Sequence, residues 1–150
     1  MGFELGTDGP SAILVGVDGS ETSLRAAAYA AGLARRQRTK LVVVYVRTQP
    51  AALISIADHV GFAAGQVLDA QDAIEAHMRE ALAVQTAAWG VDACLIVRSG
   101  DPLNVLSEVA REVRADAVIV GSSTGVGHRI AGSLAVRLVR ARRWPVTVVP

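Results

Sequence analysis

The sequence predicts an α/β domain in which a parallel sheet is wrapped on both faces by helices. Short β-branched apolar runs alternate with amphipathic helical stretches, strand then helix, repeated four times and closed by a fifth strand. The second run, LVVVYV at Leu41 to Val46, is apolar on both faces, as a strand between two helical layers must be. The 150 residues are 51% hydrophobic with a net charge of +1, which suits one domain with a sizeable core and gives no general pull toward nucleic acid or membranes. Right-handed crossovers make such a sheet doubly wound.

Each element has its own local signal. Ala12 to Val17 (AILVGV) is the first strand, closed by Asp18-Gly19. From Ser20, an N-cap residue followed by Glu21 in the first turn, a helix runs with Leu24, Ala28, Ala31 and Leu33 as its expected inner side. Leu41 to Val46 follows. Pro50 to about Ala70 is the least legible stretch, readable as a short helix or as a flap over the sheet edge. Ala70 to Ala88 is helical, with Ile74, Met78, Ala81 and Leu82 inward, and Gly90 ends it. Ala93 to Val97 is the third strand. Asp101-Pro102 opens a helix over Leu103 to Arg114, the proline standing in its first turn. Ala117 to Val120 is the fourth strand, Gly132 to Arg142 the last helix, and Val146 to Val149 the fifth strand.

Residues 1–11 read as a loose tail before a single domain at 12–150, with neither the basic nor the apolar segment of a secretory signal. The most apolar stretch, around Ala51 to Leu68, is interrupted by Asp58, His59 and Gly61 and is no bilayer span. One thiol, Cys94, in an apolar run reads as inert, and the expected location is cytoplasmic.

Ligands of doubly wound sheets sit beyond the carboxyl ends of the strands. The loop there that invites a ligand is Gly121-Ser122-Ser123-Thr124-Gly125-Val126-Gly127, leaving the fourth strand, with Gly132-Ser133 opening the last helix. Glycines admit close backbone approach, and unpaired amides at a helix start attract anions. A phosphate cradle and a plain turn with Ser133 as helix cap are both compatible with these residues. No Gly-Lys-Ser/Thr follows, so this is not a Walker loop, and the dinucleotide glycine pattern is missing at the first strand.

ILVGVDGSETSLRAAAYAAGLA, SGDPLNVLSEVAREVRADAVIVGSS and GSLAVRLVRARRWPVTVVP, in that order, make the chain from about Ala12 to Pro150 resemble the universal stress protein family. The resemblance implies a three-layer sandwich with a five-stranded parallel sheet of order 3-2-1-4-5, the adenine nucleotide alpha hydrolase-like fold, usually dimeric. It implies an ATP or related adenine-nucleotide site in a subset of members, built on Gly-x-x-Gly-x9-Gly-Ser/Thr. Gly121 fits the first glycine and Gly132-Ser133 the last pair. Thr124 stands where the second glycine belongs, and the interval is two residues shorter than the motif, with Gly125 and Gly127 the candidates to compensate. Carried over residue by residue, the nucleotide site comprises Gly16, Val17, Asp18, Val46, Gly121, Ser122, Ser123, Gly125, Gly127, His128, Gly132, Ser133 and Leu134. Asp18 would hold Mg²⁺ with the nucleotide, since a bare carboxylate repels phosphates. Its other reading is a turn aspartate bonded to its own backbone.

The resemblance also implies a noncatalytic homodimer. Val146 to Val149, an apolar edge strand, would be covered by pairing with its two-fold mate. The alternative is a nucleotide-independent dimeric scaffold. No catalytic set emerges, because no His is placed to activate Ser20, Ser23 or Ser133 and no general base is identifiable for a hydrolase. His59, His77 and Cys94 lack metal-ligand spacing. Arg137, Arg140, Arg142 and Arg143 read as cations complementing a helix end rather than a nucleic-acid face.

Overall fold

The computed structural model describes residues 12–47, 61–122 and 133–150. In chain order they form β1 (Ala12–Val17), α1 (Glu21–Gln37), β2 (Lys40–Arg47), α2 (Gly61–Trp89), β3 (Ala93–Ser99), α3 (Pro102–Glu112), β4 (Ala117–Gly121), α4 (Leu134–Ala141) and β5 (Val146–Val149). The strands make one sheet in the order β3-β2-β1-β4-β5, and every neighbouring pair is parallel. β1 lies at the centre and β5 at an edge. The expected sheet order is therefore the observed one.

Strand alternation sorts the core into two layers. Ile13, Val15 and Val17 of β1, with Leu41, Val43 and Tyr45 of β2 and Ile119 of β4, face α1 and α2. Ala12 and Leu14, with Val42, Val44, Val118 and Val120, face α3 and α4, where Leu106, Val109 and Leu138 meet them. Leu106 and Leu138 are fully buried. Truncating a leucine in such a site costs about 2–5 kcal/mol.

The inner face of α1 differs from the expected one. Leu24 is exposed, and so is Ala28; the buried stripe is Thr22, Ser23, Ala26, Ala30, Ala31 and Ala34. That stripe keeps helical spacing but selects small side chains, because α1 lies close over β1 and β4. α2 begins at Gly61, well before Ala70, and ends as expected at Gly90, whose φ is +64°. It is anchored near its middle from outside the helix. The Arg47 guanidinium bonds Gln71 Oε1 at 3.3 Å, Asp72 at 2.6 Å and Glu75 at 3.2 Å. Residues 1–11 and most of the stretch read as illegible, 48–60, lie outside the described residues.

Candidate functional site

The crevice is set by topology. β1 and β4 are neighbours, yet the chain leaves β1 through α1 on one face and β4 toward α4 on the other. The connections from their carboxyl ends therefore diverge to opposite faces, and this switch point is where ligands of doubly wound sheets bind. The register pairs Gly16 with Val120, so Val17 and Gly121 reach the edge side by side and Asp18 and Ser122 follow. On the other flank Val17 pairs with Tyr45, which puts Val46 beside Asp18.

Asp18 is exposed at the tip of β1. Its Oδ1 accepts the Ser20 amide at 2.9 Å, and its own amide donates to Ser23 Oγ at 3.2 Å. Ser20 caps α1 by accepting the Ser23 amide at 3.2 Å, and the Ser23 hydroxyl returns a bond to the Ser20 carbonyl at 2.9 Å. Partial burial pushes the Asp18 carboxyl up, but the bonds from the Ser20 hydroxyl and amide and from Ser23 outweigh it, so Asp18 ionises below the ordinary aspartate range. Gly19 turns the chain at φ +86°, and a Cβ there would meet the Ile74 side chain at 3.2 Å. The turn reading of Asp18 is thus observed. It occupies one carboxylate oxygen and leaves a charged group at the mouth of the crevice.

Opposite stands the end of β4, and its geometry rests on a residue the sequence did not single out. Thr22, buried in the first turn of α1, donates its hydroxyl to the Ser122 carbonyl at 2.8 Å. The Ser122 amide donates to the Val149 carbonyl at 2.7 Å. Both backbone polar groups of Ser122 are therefore spent within the chain, and its hydroxyl is what it can offer a ligand. Gly121 is where α1 comes closest. A Cβ on Gly121 would lie 2.6 Å from the Thr22 carbonyl carbon and 2.7 Å from the Ser23 nitrogen. The open side of this glycine is filled by α1 backbone.

Ser133 caps α4 from an extended conformation, its Oγ accepting the Val136 amide at 3.3 Å. In any α-helix the first-turn amides have no partner within the helix, which leaves those of Leu134 and Ala135 facing outward at the positive end of the dipole. Arg137, expected only to complement a helix end, is a brace. Its guanidinium grips Asp101 in fork fashion at 3.1 and 3.2 Å, and Asp101 also caps α3 by accepting the Asn104 amide at 3.1 Å. The Arg137 bonds, against some desolvation, hold the Asp101 carboxyl below its usual range. The starts of α3 and α4 are thereby tied together.

Gly16, Val17, Asp18, Val46, Gly121, Ser122, Ser133 and Leu134 belong to the carboxyl-side rim described above, whereas Ser123, Gly125, Gly127, His128 and Gly132 lie outside the described residues. Among the described residues no three His, Cys, Asp or Glu side chains cluster as metal ligands. Asp18 by itself suits Mg²⁺ only as that ion is usually held, by one carboxylate with water and ligand phosphates completing the shell. No described helix is long and apolar enough to cross a membrane.

The family model that matches this sequence is that of the universal stress protein family, over residues 11–150. The chain belongs to the universal stress protein family. A universal stress protein of Methanocaldococcus jannaschii is 29% identical over 143 residues, 91% of this chain and 80% of that one. A solved universal stress protein from Burkholderia pseudomallei superposes with a TM-score of 0.73 at 28% identity, covering 93% of this chain and 96% of the other. Another, solved in complex with cAMP, has a TM-score of 0.62 at 24% identity and covers 94% and 97%. The expected universal stress protein fold is thus the one this chain adopts.

Proposed function

We propose that this universal stress protein is a noncatalytic, homodimeric binding module for an adenine nucleotide, ATP or a relative, acting in the cytoplasm. One observation carries the reading: at the switch point between β1 and β4, an ionised Asp18 at the end of β1 belongs to the same rim as the Ser133-capped start of α4. A helix start grips phosphate through its amides, and Asp18 would hold Mg²⁺ against the phosphates, the one chemistry the ion supplies there. The backbone at Gly16 and Val17 would flank the base, and the Val46 backbone at the end of β2 would meet its edge. A relative solved with cAMP supports the ligand class. The resemblance adds the 123–132 segment, with Gly125, Gly127, His128 and Gly132, as the remainder of the phosphate contact.

Assembly is argued separately. Val148 on the β5 edge is exposed, as are Val136 and Val139 on α4, which packs against the same end of the sheet. Pairing β5 with the β5 of a second copy would satisfy the open edge and cover Val148. The same observation favours a second reading, a dimeric scaffold that needs no nucleotide. Calorimetry with ATP, AMP and cAMP, with and without Mg²⁺, separates the two. Saturable binding of at least one ligand supports the module; flat titrations of all three at high protein concentration leave only the scaffold. Sedimentation tests assembly: the natural chain should run as a dimer and Val148→Lys as a monomer, and a monomeric natural chain defeats both readings.

A further inference from the structure

At the opposite end of the sheet the sequence runs Arg35-Arg36-Gln37-Arg38-Thr39-Lys40, a dense basic cluster in a chain whose net charge is only +1. The fold makes it concave. Arg38 terminates α1 in the left-handed region at φ 54°, its amide bonding the Ala34 and Arg35 carbonyls, and the Thr39 amide bonds Ala34 O at 3.0 Å. This sharp reversal brings Lys40 back beside Arg35 and Arg38. Gly90, Val91 and Asp92, just past the end of α2, form the other wall, held there by the Leu41 amide on the Asp92 carbonyl at 2.8 Å. The half-open cavity measures about 260 Å³.

We propose that this cavity is a second anion site, one that takes a compact phosphate-bearing solute. Arg25, Arg47, Arg79, Arg98 and Arg137 are each paired with a carboxylate. Arg35, Arg38 and Lys40 are exposed and make no ion pair among the described residues. Two effects oppose an anion here: the Asp92 carboxylate, and the negative ends of α1 and α2, each equivalent to roughly half a charge. Three full cations outweigh them. Thr39 lines the same cavity, and its hydroxyl is buried with no hydrogen-bond partner among the described residues. Guanidinium forks match phosphate oxygens, and the size of the cavity suits a small solute. Nucleic acid would ask for a broad basic face with aromatic residues, and none of the lining residues is aromatic. The site is separated from the Asp18 rim by the length of β1, about 20 Å, and does not depend on the nucleotide reading.

The test is an amide NMR titration of the full chain with inorganic phosphate, set against sodium chloride at matched ionic strength. Saturable shifts at Arg38, Thr39, Lys40, Val91 and Asp92, on a curve chloride does not reproduce, are expected. The Arg38→Asn, Lys40→Gln double variant should weaken the apparent affinity about tenfold, asparagine keeping the left-handed cap while removing the cation. Lys40→Gln alone, at an exposed position, serves if the double variant does not fold. Equal response to chloride, shifts confined to Asp18 and Leu134, undiminished binding in the variants, or a response to duplex DNA without one to phosphate would each overturn the assignment.

Discussion

Replacing Gly121 by alanine tests whether that glycine serves packing or a ligand. The added Cβ would stand 2.6 and 2.7 Å from the Thr22 carbonyl carbon and oxygen and 2.7 Å from the Ser23 nitrogen. Ordinary carbon contacts sit near 3.5–4.0 Å, so the strand end or the helix start must give by about 1 Å. Every obstructing atom is backbone, which rules out relief by a rotamer change. Overpacking of this kind costs typically 1–3 kcal/mol. Displacement also endangers the Thr22 hydroxyl bond to the Ser122 carbonyl, whose net contribution is about 0.5–1.5 kcal/mol. The expected loss is ~2–4 kcal/mol, or a melting temperature lower by roughly 5–15 °C for a domain of this size. Urea denaturation followed by far-UV circular dichroism measures it. Gly65→Ala is the control: a Cβ there meets nothing within 4 Å in α2, and stability should rise by about 0.4–1 kcal/mol. A Gly121→Ala protein that keeps its full stability while losing nucleotide would refute the packing argument and return the glycine to the ligand.

Four further outcomes follow from named side chains. Thr39→Val removes a buried hydroxyl without a partner among the described residues and should raise stability by about 1 kcal/mol in urea melts. In the Asp101–Arg137 pair both side chains are about 38% exposed, so a double-mutant cycle of Asp101→Asn and Arg137→Gln should give a coupling below about 1 kcal/mol, asparagine preserving the α3 cap. Because Arg137 lowers the folded-state pKa of Asp101, the stability from this pair is present above the unfolded aspartate value and is lost as pH falls through the folded one. Denaturation midpoints taken down through about pH 4 should therefore fall less in Arg137→Gln than in the natural chain. The depressed Asp18 pKa acts in the same direction, so Asp18→Asn should also flatten the acid limb; an unchanged limb would contradict the bonding described at the β1 tip.

The strands were legible because their signal is local. The β-branched run of β2 and the bounded runs of β1 and β5 announce buried strands without reference to the rest of the chain, and the bounds of β1 and β5 agree with the structure. Helix faces were less legible. A hydrophobic pattern reports polarity and not size, so it puts Leu24 inside, whereas the close packing of α1 over β1 and β4 selects Ala26, Ala30 and Ala34. The early turns of α2 carry Gly61 and Gly65, weak helix formers that mask its start, and the anchor near the helix middle is Arg47 on another element. At the site, the Ser133 cap and the Asp18 turn were visible as short-range motifs. Thr22 and Arg137 were not, since their partners lie 100 and 36 residues away and only the folded sheet brings them together.

α2 has 29 residues, about 43 Å of helix, while the β3 strand it covers has 7, about 23 Å. Its far end meets the start of β3, and the Arg47 clasp at Gln71, Asp72 and Glu75 marks where the carboxyl edge of the sheet stops. The turns before Gln71 thus run about 15 Å past that edge. A helix pinned near its middle loosens away from the pin, so amide exchange along α2 should quicken stepwise from Met78 toward Gly61, a gradient that follows the reach of the sheet and not the helix propensity of each residue.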